Sequence, residues 1–203
     1  MLKVLGLAGS PRRGGNSETL LDQALAGARS RGAETNKIVV NDLVMRGCQH
    51  CDGCLRTGFC IIEDDMQSLH RQLREVDRLI LSSPLFFLGP PSQVKAVIDR
   101  CQALWVEKYL LKIRHQFASD GSRRRGMFMC VGGMQKPNLF RGSVDTVKAF
   151  FATCDIEYGD QLLIEHVDEI KAIEKHPTAR VDAFNLGIKL LEPQTVTMKR
   201  TAE

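Results

Sequence analysis

Short apolar segments alternate with amphipathic helical segments along the chain, and this alternation most constrains how the chain can fold. The apolar segments predict strands at 3–7, 37–40, 79–81, 127–131 and 158–165. The helical segments carry apolar residues three and four positions apart and lie at 17–31, 66–76, 92–105, 143–153 and 181–191. Strands that alternate with helices pair in parallel through right-handed crossovers. The sequence therefore predicts an α/β fold, a doubly wound parallel sheet with helices on both faces.

The number of predicted strands also suggests their order. Five strands suit the flavodoxin-like order 2-1-3-4-5, in which ligands bind beyond the carboxyl ends of the strands, between strands 1 and 3. The first helix is expected to have Asn16 or Ser17 as its N-cap and to stop at Gly32. No repeat or linker divides the chain, so residues 1–203 are predicted to form one domain with a cysteine-rich loop at about 41–63. The connection Lys108–Arg125 has no assigned element.

The composition excludes several classes of protein. The chain has 28 Lys and Arg against 24 Asp and Glu, and the resulting charge of +4 is too weak to indicate nucleic-acid binding, although Arg123–Arg125 is expected to form a local basic patch. No apolar run approaches the ~20 residues of a membrane helix, and the apolar start has no signal-peptide cleavage site. We therefore expect a cytoplasmic protein with reduced thiols and with neither a membrane nor a nucleic-acid partner.

The segment between the first strand and the first helix, Gly9–Ser17, has the composition of an anion-binding loop. It offers backbone N–H groups, small hydroxyls and a helix N-terminus, but it lacks both the Gly-Lys-Ser/Thr of a triphosphate loop and Gly-x-Gly-x-x-Gly. A terminal monophosphate fits what remains. An ordinary glycine-rich turn before a well-capped helix would have the same sequence pattern. The loop alone therefore does not distinguish a phosphate-binding loop from a turn that binds nothing. The candidate phosphate ligands are Ser10, Arg12, Asn16, Ser17 and Thr19.

Three motifs together resemble the NADPH-dependent FMN reductase and flavodoxin-like superfamily. The first is Gly-Ser-Pro-Arg followed by Gly-Asn-Ser in the loop, which is similar to that family's FMN-phosphate loop. The second is Ser83–Phe87 followed by a helix with Lys95, Ile98, Asp99 and Arg100, and the third is the glycine pair after strand 4. The resemblance covers residues 2–165. It implies that FMN binds here, and that the isoalloxazine ring lies against Pro84, Leu85, Phe86, Phe87, Gly132 and Gly133, with Phe86 where the family usually has tyrosine.

Four cysteines, Cys48, Cys51, Cys54 and Cys60, crowd into the segment after strand 2. The spacing C-x2-C-x2-C-x5-C resembles the compact motif of the iron–sulfur flavoproteins, a branch of the same superfamily. Four thiolates on a glycine-containing loop suit a [4Fe–4S] cluster. A four-cysteine zinc site and a loop without metal are the alternatives that remain open. The other three cysteines, Cys101, Cys130 and Cys154, are expected to be small buried apolar residues.

No side chain is predicted to be catalytic, because the flavin would carry the chemistry. Asp64 and Asp65 are expected to cap a helix, and Asp99 and Arg100 to form a structural pair. The histidines are each expected at the surface, at positions 70, 115, 166 and 176.

The function that these motifs imply is an FMN-dependent oxidoreductase with an iron–sulfur cluster, which passes electrons between a reduced donor and an acceptor. The resemblance suggests NAD(P)H as the donor, and the acceptor would be a redox partner protein or a small molecule. Two alternatives remain: a cluster-free NAD(P)H:flavin or quinone reductase, and a non-enzymatic electron carrier to ferredoxin-like partners.

The expected assembly is a homodimer or a homotetramer. In the order 2-1-3, the end of strand 2 lies on the far side of strand 1 from the flavin-facing segment, an offset of about 10 Å within one chain. Family resemblance favours a cysteine loop that meets the flavin of a neighbouring chain. Apolar residues of the loop, Leu55, Phe59, Ile61 and Ile62, would then be covered by a partner.

Overall fold

The computed structural model describes residues 1–169 and 171–192, and it confirms the predicted parallel sheet. Five strands pair only in parallel, in the order β2-β1-β3-β4-β5. The strands are β1 Lys3–Ala8, β2 Glu34–Val39, β3 Arg78–Pro84, β4 Arg125–Val131 and β5 Glu157–Ile164. The helices are α1 Asn16–Ser30, α2 Met66–Glu75, α3 Ser92–Arg100, α4 Gln102–Trp105, α5 Arg141–Thr153 and α6 Ala179–Lys189. Short 3-10 turns at Val40–Asp42 and Ala172–Lys175 and a π-helix at Val106–Leu110 complete the described elements.

The two faces of the sheet carry two separate hydrophobic cores. Helices α2, α3 and α5 pack on one face, and α1 and α6 pack on the other. The central strands β3 and β4 are buried along almost their whole length, which is why they read in the sequence as continuous apolar runs. Cys101, Cys130 and Cys154 lie in the first core, as predicted.

Helices α1 and α6 approach each other so closely that glycine is required at their crossing. A Cβ atom on Gly27 would lie 2.0 Å from the carbonyl oxygen of Phe184, and a Cβ on Gly187 would lie 2.0 Å from that of Ala24. The backbones therefore pack directly on one another. Among the described residues, no helix is long and apolar enough to cross a bilayer.

Some element boundaries differ from the predictions. The N-cap of α1 is Gly15, so Asn16 and Ser17 lie in the first turn of the helix and not at its cap. The predicted helix over 92–105 breaks at Cys101, where α3 ends and α4 begins. The unassigned connection starts in the π-helix and ends in a loop closed by a bridge between Phe117 and Arg123. The domain prediction for residues 1–203 reaches past residue 192 and so lies partly outside the described residues.

The predicted basic patch at Arg123–Arg125 is wrong, because only Arg123 is exposed. Arg124 is buried and donates to the backbone carbonyls of Val76 and Cys154, which lie near the amino end of the sheet. Arg125 is buried as well and donates to the Glu192 carbonyl. These guanidinium groups satisfy backbone acceptors and offer no exposed charge to a polyanion.

His70 corrects the expectation that every histidine lies at the surface. Its side chain is 1% exposed, and Nε2 lies 2.9 Å from the carbonyl oxygen of Arg100 at the end of α3. Burial, assisted by the nearby Arg74 charge, lowers the pKa of His70 to about 4. The imidazole is therefore neutral at pH 7 and joins α2 to α3.

We predict that His70 makes the protein sensitive to mild acid. Below pH ~6.5 the unfolded chain takes up a proton on His70 that the folded chain does not take up until pH falls to about 4. Stability is therefore lost as pH falls across this window, by about 3 kcal/mol from this group. Urea unfolding at pH 7 and pH 4.5 should show a smaller loss for His70→Gln than for the wild type. Equal losses in both proteins would contradict the assignment.

Candidate functional site

Three loops meet at the carboxyl edge of the sheet, where β1, β3 and β4 end. They are residues 9–15 after β1, 85–91 after β3 and 132–140 after β4. The register pairs Ala8 with Ser82, so the first two loops leave the sheet side by side. A cavity of about 470 Å³ opens between the second and third loops and is lined by Leu85, Phe87, Gly133 and Met134, among others. A sheet of this order binds ligands at its carboxyl edge between β1 and β3, and the cavity lies next to that position, on the β4 side of the loop after β3.

The loop after β1 is held by close contact with β3. The Gly9 N–H donates to the Ser82 carbonyl at 2.7 Å, and a Cβ on Gly9 would lie only 2.5 Å from the Val94 side chain. The Arg12 N–H donates to the Ser10 hydroxyl oxygen at 3.0 Å, which closes a tight turn. Gly14 has a φ of +61°, in the region that favours glycine. Gly9 therefore allows the loop to pass close to Val94, and Gly14 allows its backbone to adopt a positive φ.

The N-terminus of α1 presents backbone donors to this loop. The first helical hydrogen bond runs from the Thr19 N–H to the Gly15 carbonyl at 3.0 Å. The N–H groups of Asn16, Ser17 and Glu18 have no acceptor within residues 1–169 and 171–192. Three free donors at the positive end of a helix form a cradle suited to a phosphate group.

The predicted phosphate-binding side chains do not all point to this cradle. The Asn16 amide donates to the Glu169 carbonyl at 2.8 Å and accepts from the Ile173 N–H at 3.2 Å, so it ties the loop to the segment after β5. The Thr19 hydroxyl donates back to the Gly15 carbonyl. Arg12 is exposed, and Ser10 and Ser17 are buried in the loop. Binding of phosphate by these five residues stays a prediction. Because the Asn16 and Thr19 side chains bond to the protein's own backbone, these two residues would act by holding the loop and the start of α1 in place.

Glu18 is a buried acid beside the loop that the sequence analysis did not single out. It accepts from the Gly14 N–H at 2.7 Å and from Lys37 Nζ at 3.1 Å, and it also pairs with Arg13. Burial opposes ionisation, but these donors lower the pKa of Glu18. The carboxylate is therefore charged and holds the loop in shape. The sequence signal that could have pointed to Glu18 was its position as an acidic residue in the first turn of a predicted helix.

The turn after β3 exposes two aromatic side chains. Phe86 and Gly89 exchange backbone hydrogen bonds of 2.9 Å, and Phe87 and Leu88 between them have φ values of 49° and 64°. Positive φ in two consecutive non-glycine residues is uncommon and costs free energy. The Phe86 and Phe87 side chains are both exposed, so neither belongs to the core. Contact of Pro84–Phe87 with a flavin ring remains a prediction.

The glycine pair after β4 makes room for protein atoms. The Gly132 N–H donates to the Ile164 carbonyl at 2.9 Å, which continues the pairing of β4 with β5. A Cβ on Gly133 would lie 2.8 Å from the Cβ of Asp168. Asp168 lies in the segment after β5 and lines the cavity, a placement that no sequence motif indicated.

The four clustered cysteines all line a second, smaller cavity of about 30 Å³. Burial, and then the neighbouring Cys60, Cys48 and Cys51 thiols, raise the pKa of the Cys54 thiol. No group of three His, Cys, Asp or Glu side chains within the described residues is arranged to hold a single metal ion. Four cysteines around one cavity are the donor set that an iron–sulfur cluster needs, and these cysteines would hold it.

The cysteine loop is anchored by a buried ion pair. Arg74 Nε donates to both carboxylate oxygens of Glu107 at 2.9 and 3.0 Å, and Arg74 also donates to the Gly58 carbonyl at 3.3 Å. Its guanidinium lies 4.6 Å from the centre of the Phe59 ring. A Cβ on Gly58, which has a φ of +74°, would lie 2.2 Å from the Glu107 side chain. The π-helix that carries Glu107 thus supports the loop.

Asp99 and Arg100 do not form the predicted pair. Asp99 pairs with Lys95 one turn earlier on the exposed side of α3, whereas Arg100 pairs with Asp64 at 2.6 Å in the interior. Asp65 is the N-cap residue of α2, but its side chain makes no capping hydrogen bond, and Asp64 just before it accepts from the Met66 N–H at 3.1 Å. Asp65 instead accepts from the Val44 N–H.

Comparison with known proteins extends these observations. The chain matches the family described as NADPH-dependent FMN reductase over residues 2–136. It is 33% identical over 127 residues to an iron–sulfur flavoprotein of Methanosarcina thermophila, in an alignment that covers 62% of this chain and 66% of the relative. It is 39% identical over 131 residues to an iron–sulfur flavoprotein of Archaeoglobus fulgidus, with 63% and 67% covered. The chain therefore spans about two thirds of the length of these relatives.

A solved structure shares the fold. A flavone reductase superposes with a TM-score of 0.68 at 19% identity, over 93% of this chain and 62% of the other. At this level of identity, the likeness concerns the fold alone.

We predict that the Ser17 hydroxyl contributes to phosphate binding. Ser17 is buried at the free N–H groups of α1, and its hydroxyl makes no hydrogen bond within the described residues. Ser17→Ala should weaken FMN binding about tenfold or more, since a hydrogen bond to a charged group contributes about 1.5–3 kcal/mol. Flavin fluorescence titration measures the change. Ser30→Ala, at the opposite end of the same helix, should bind FMN as the wild type does, and an equal loss in both variants would refute the prediction.

Proposed function

The chain belongs to the NADPH-dependent FMN reductase family and to its branch of iron–sulfur flavoproteins, and from this we propose that it is an FMN-dependent oxidoreductase that carries a [4Fe–4S] cluster. The resemblance drawn from the sequence motifs is thereby confirmed, and so is the predicted enzyme class, FMN-dependent NAD(P)H oxidoreductase, at the level of the family. The electron transfer, the cluster and the donor of this particular chain are the proposal.

One observation carries the proposal. A single chain combines free helix N–H donors at the carboxyl edge of its sheet with four cysteines that line one cavity. A plain flavin reductase has no need of the second feature. The Arg74–Glu107 and Arg100–Asp64 pairs anchor the cysteine loop to the helices beneath it.

The residues have distinct proposed roles. Backbone N–H groups of α1, with Ser10, Arg12 and Ser17, would hold the FMN phosphate, and Glu18 would keep the loop in shape. Pro84–Phe87 and Gly132–Gly133 would border the ring. FMN, when bound, accepts two electrons as hydride and releases them singly, and a cluster passes one electron at a time. Among the described residues, no side chain is assigned to move a proton, because the flavin would carry the chemistry.

The compartment and the partners are also proposals. Cys48 and Cys51 are exposed free thiols, which persist in a reducing compartment such as the cytoplasm. We propose NAD(P)H as the donor, and a redox protein or a small molecule as the acceptor.

The activity is tested by purifying the protein without oxygen, adding FMN and measuring NAD(P)H oxidation. Steady turnover with an added quinone or ferredoxin-type acceptor supports an oxidoreductase. A protein that exchanges electrons with ferredoxin-type partners but does not oxidise NAD(P)H would instead be a carrier. Turnover without iron or sulfide in the protein would identify a cluster-free reductase.

We predict four iron and four sulfide per chain in protein that is made and kept without oxygen. Replacing any one of Cys48, Cys51, Cys54 or Cys60 by serine should abolish stoichiometric loading, because a [4Fe–4S] cluster needs four thiolates and these four cysteines line one cavity. Cys154→Ala, in the hydrophobic core, is the matched control and should keep its iron. Stoichiometric zinc without sulfide in the wild type would contradict the cluster.

We predict a homodimer or a homotetramer that covers the cysteine loop. Leu55, Phe59 and Ile61 on the loop are exposed, as are Trp105 and Tyr109 on the neighbouring helical segment that supports it. An apolar surface of this kind favours a partner over water. Sedimentation should show a smaller species for Leu55→Asp than for the wild type. Val181→Asp, at an exposed apolar position on α6, should leave the assembly unchanged. A monomeric wild type would refute this prediction.

A further inference from the structure

The guanidinium of Arg100 is buried directly beneath the cysteine loop. Arg100 is 1% exposed and lies at the last position of α3. Nη1 donates to the Arg46 carbonyl at 2.7 Å and to Asp64 Oδ2 at 2.6 Å, and Nη2 donates to Asp64 Oδ1 at 2.9 Å. The two-oxygen pairing with Asp64 fixes the plane and the direction of the guanidinium.

This fixed direction brings Arg100 to one of the four clustered thiols. Nη2 lies 3.4 Å from Cys60 Sγ, within hydrogen-bond distance for sulfur. Among the described residues, Cys48, Cys51 and Cys54 receive no hydrogen bond from any side chain to their sulfur atoms. The contact therefore singles out Cys60.

The position of Cys60 is less restricted by the chain than the positions of the other three cysteines are, so it depends more on contacts outside the loop. Two residues separate Cys48 from Cys51 and Cys51 from Cys54, whereas five separate Cys54 from Cys60. The Cys60 carbonyl accepts from Gln67 on α2 at 2.6 Å, and its sulfur accepts from Arg100 on α3. Two helices of the core thus set the position of the fourth thiol.

An N–H donor at a cysteine sulfur changes the energetics of a bound cluster. A reduced cluster carries one more negative charge, and hydrogen bonds to its sulfur ligands stabilise that charge and raise its reduction potential. Asp64 offsets the charge of Arg100, so the effect comes mainly from the directed N–H group. His70, which contacts the Arg100 carbonyl, is neutral at pH 7 and adds no charge.

We propose that Arg100 positions Cys60 and sets the reduction potential of the cluster, with Asp64 as the residue that aligns it. The inference rests on the proposed function, because it needs a cluster on the four cysteines. Arg100 is a positioning residue in this role, and Asp64 acts through it.

The test compares two arginine-to-lysine variants. Arg100→Lys keeps the positive charge beside Asp64, but a lysine lacks the planar guanidinium whose two Nη atoms reach Asp64 and Cys60 together. Arg74→Lys is the matched control, because Arg74 also supports the loop from a buried ion pair but contacts no cysteine sulfur. In each loaded protein, anaerobic titration followed by electron paramagnetic resonance gives the cluster potential, and the flavin absorbance gives the FMN potential.

We expect the reduced cluster in Arg100→Lys to be disfavoured about tenfold, which corresponds to a potential lower by about 59 mV for one electron. The FMN potential in the same molecules should not move. Arg74→Lys loosens the same loop without removing a contact to sulfur, so it should shift the cluster potential much less than Arg100→Lys does. The double variant Asp64→Asn with Arg100→Gln leaves no unpaired charge, and it should lower the cluster potential in the same direction.

The outcomes separate the two proposals. An unchanged cluster potential in loaded Arg100→Lys overturns this inference alone. If both Arg100 variants lose the cluster while they still bind FMN and Arg74→Lys keeps four iron, positioning of Cys60 is supported. Loss of the cluster and of FMN binding in all three variants means general unfolding and overturns the inference. A wild type that holds no cluster after anaerobic purification overturns the proposed function and this inference with it.

Discussion

Parallel pairing of β1 with β3 is the constraint on which the rest of this molecule depends. It places the carboxyl ends of two strands that are distant in sequence beside each other, with Ala8 opposite Ser82. The loop that carries the phosphate cradle and the loop that carries Pro84–Phe87 must then leave the sheet together. Gly9 completes the junction, because any side chain there would meet Val94 and Ser83. The position of the candidate ligand site is thus a consequence of strand order and one close backbone contact.

The cysteine loop depends on a different kind of interaction. It has few buried apolar side chains of its own, and its shape comes from two buried guanidinium groups that reach it from α2 and α3. Arg74 bridges Glu107 and the Gly58 carbonyl, and Arg100 bridges Asp64 and the Arg46 carbonyl. Removing one partner of such a pair leaves a buried charge, which typically costs about 3–5 kcal/mol. A loop held in this way stays ordered without a hydrophobic core beneath it.

Several polar residues that appear ordinary in the sequence are therefore central to the structure. Glu18 keeps the phosphate loop in shape, and Asn16 ties that loop to the segment after β5. Arg124 and Arg125 satisfy backbone carbonyls near the amino end of the sheet. Glu18 finds partners nearby in sequence, but other buried polar groups do not. Asn16 and Ile173 are 157 residues apart, Arg100 and Cys60 are 40 apart, and Arg124 and Cys154 are 30 apart.

What the sequence by itself determined is the class of fold, the order of its strands and the grouping of the four cysteines. These follow from local patterns: apolar runs, helical spacing, and C-x2-C-x2-C on one loop. Tertiary structure alone decided the burial of His70, the partner of Arg100 and the outward position of Phe86 and Phe87. Residue type and spacing cannot reveal these, because a histidine or an arginine is buried only where the folded chain brings it an acceptor. Periodicity reports which face of an element is apolar, whereas ion pairs and hydrogen bonds depend on which elements meet.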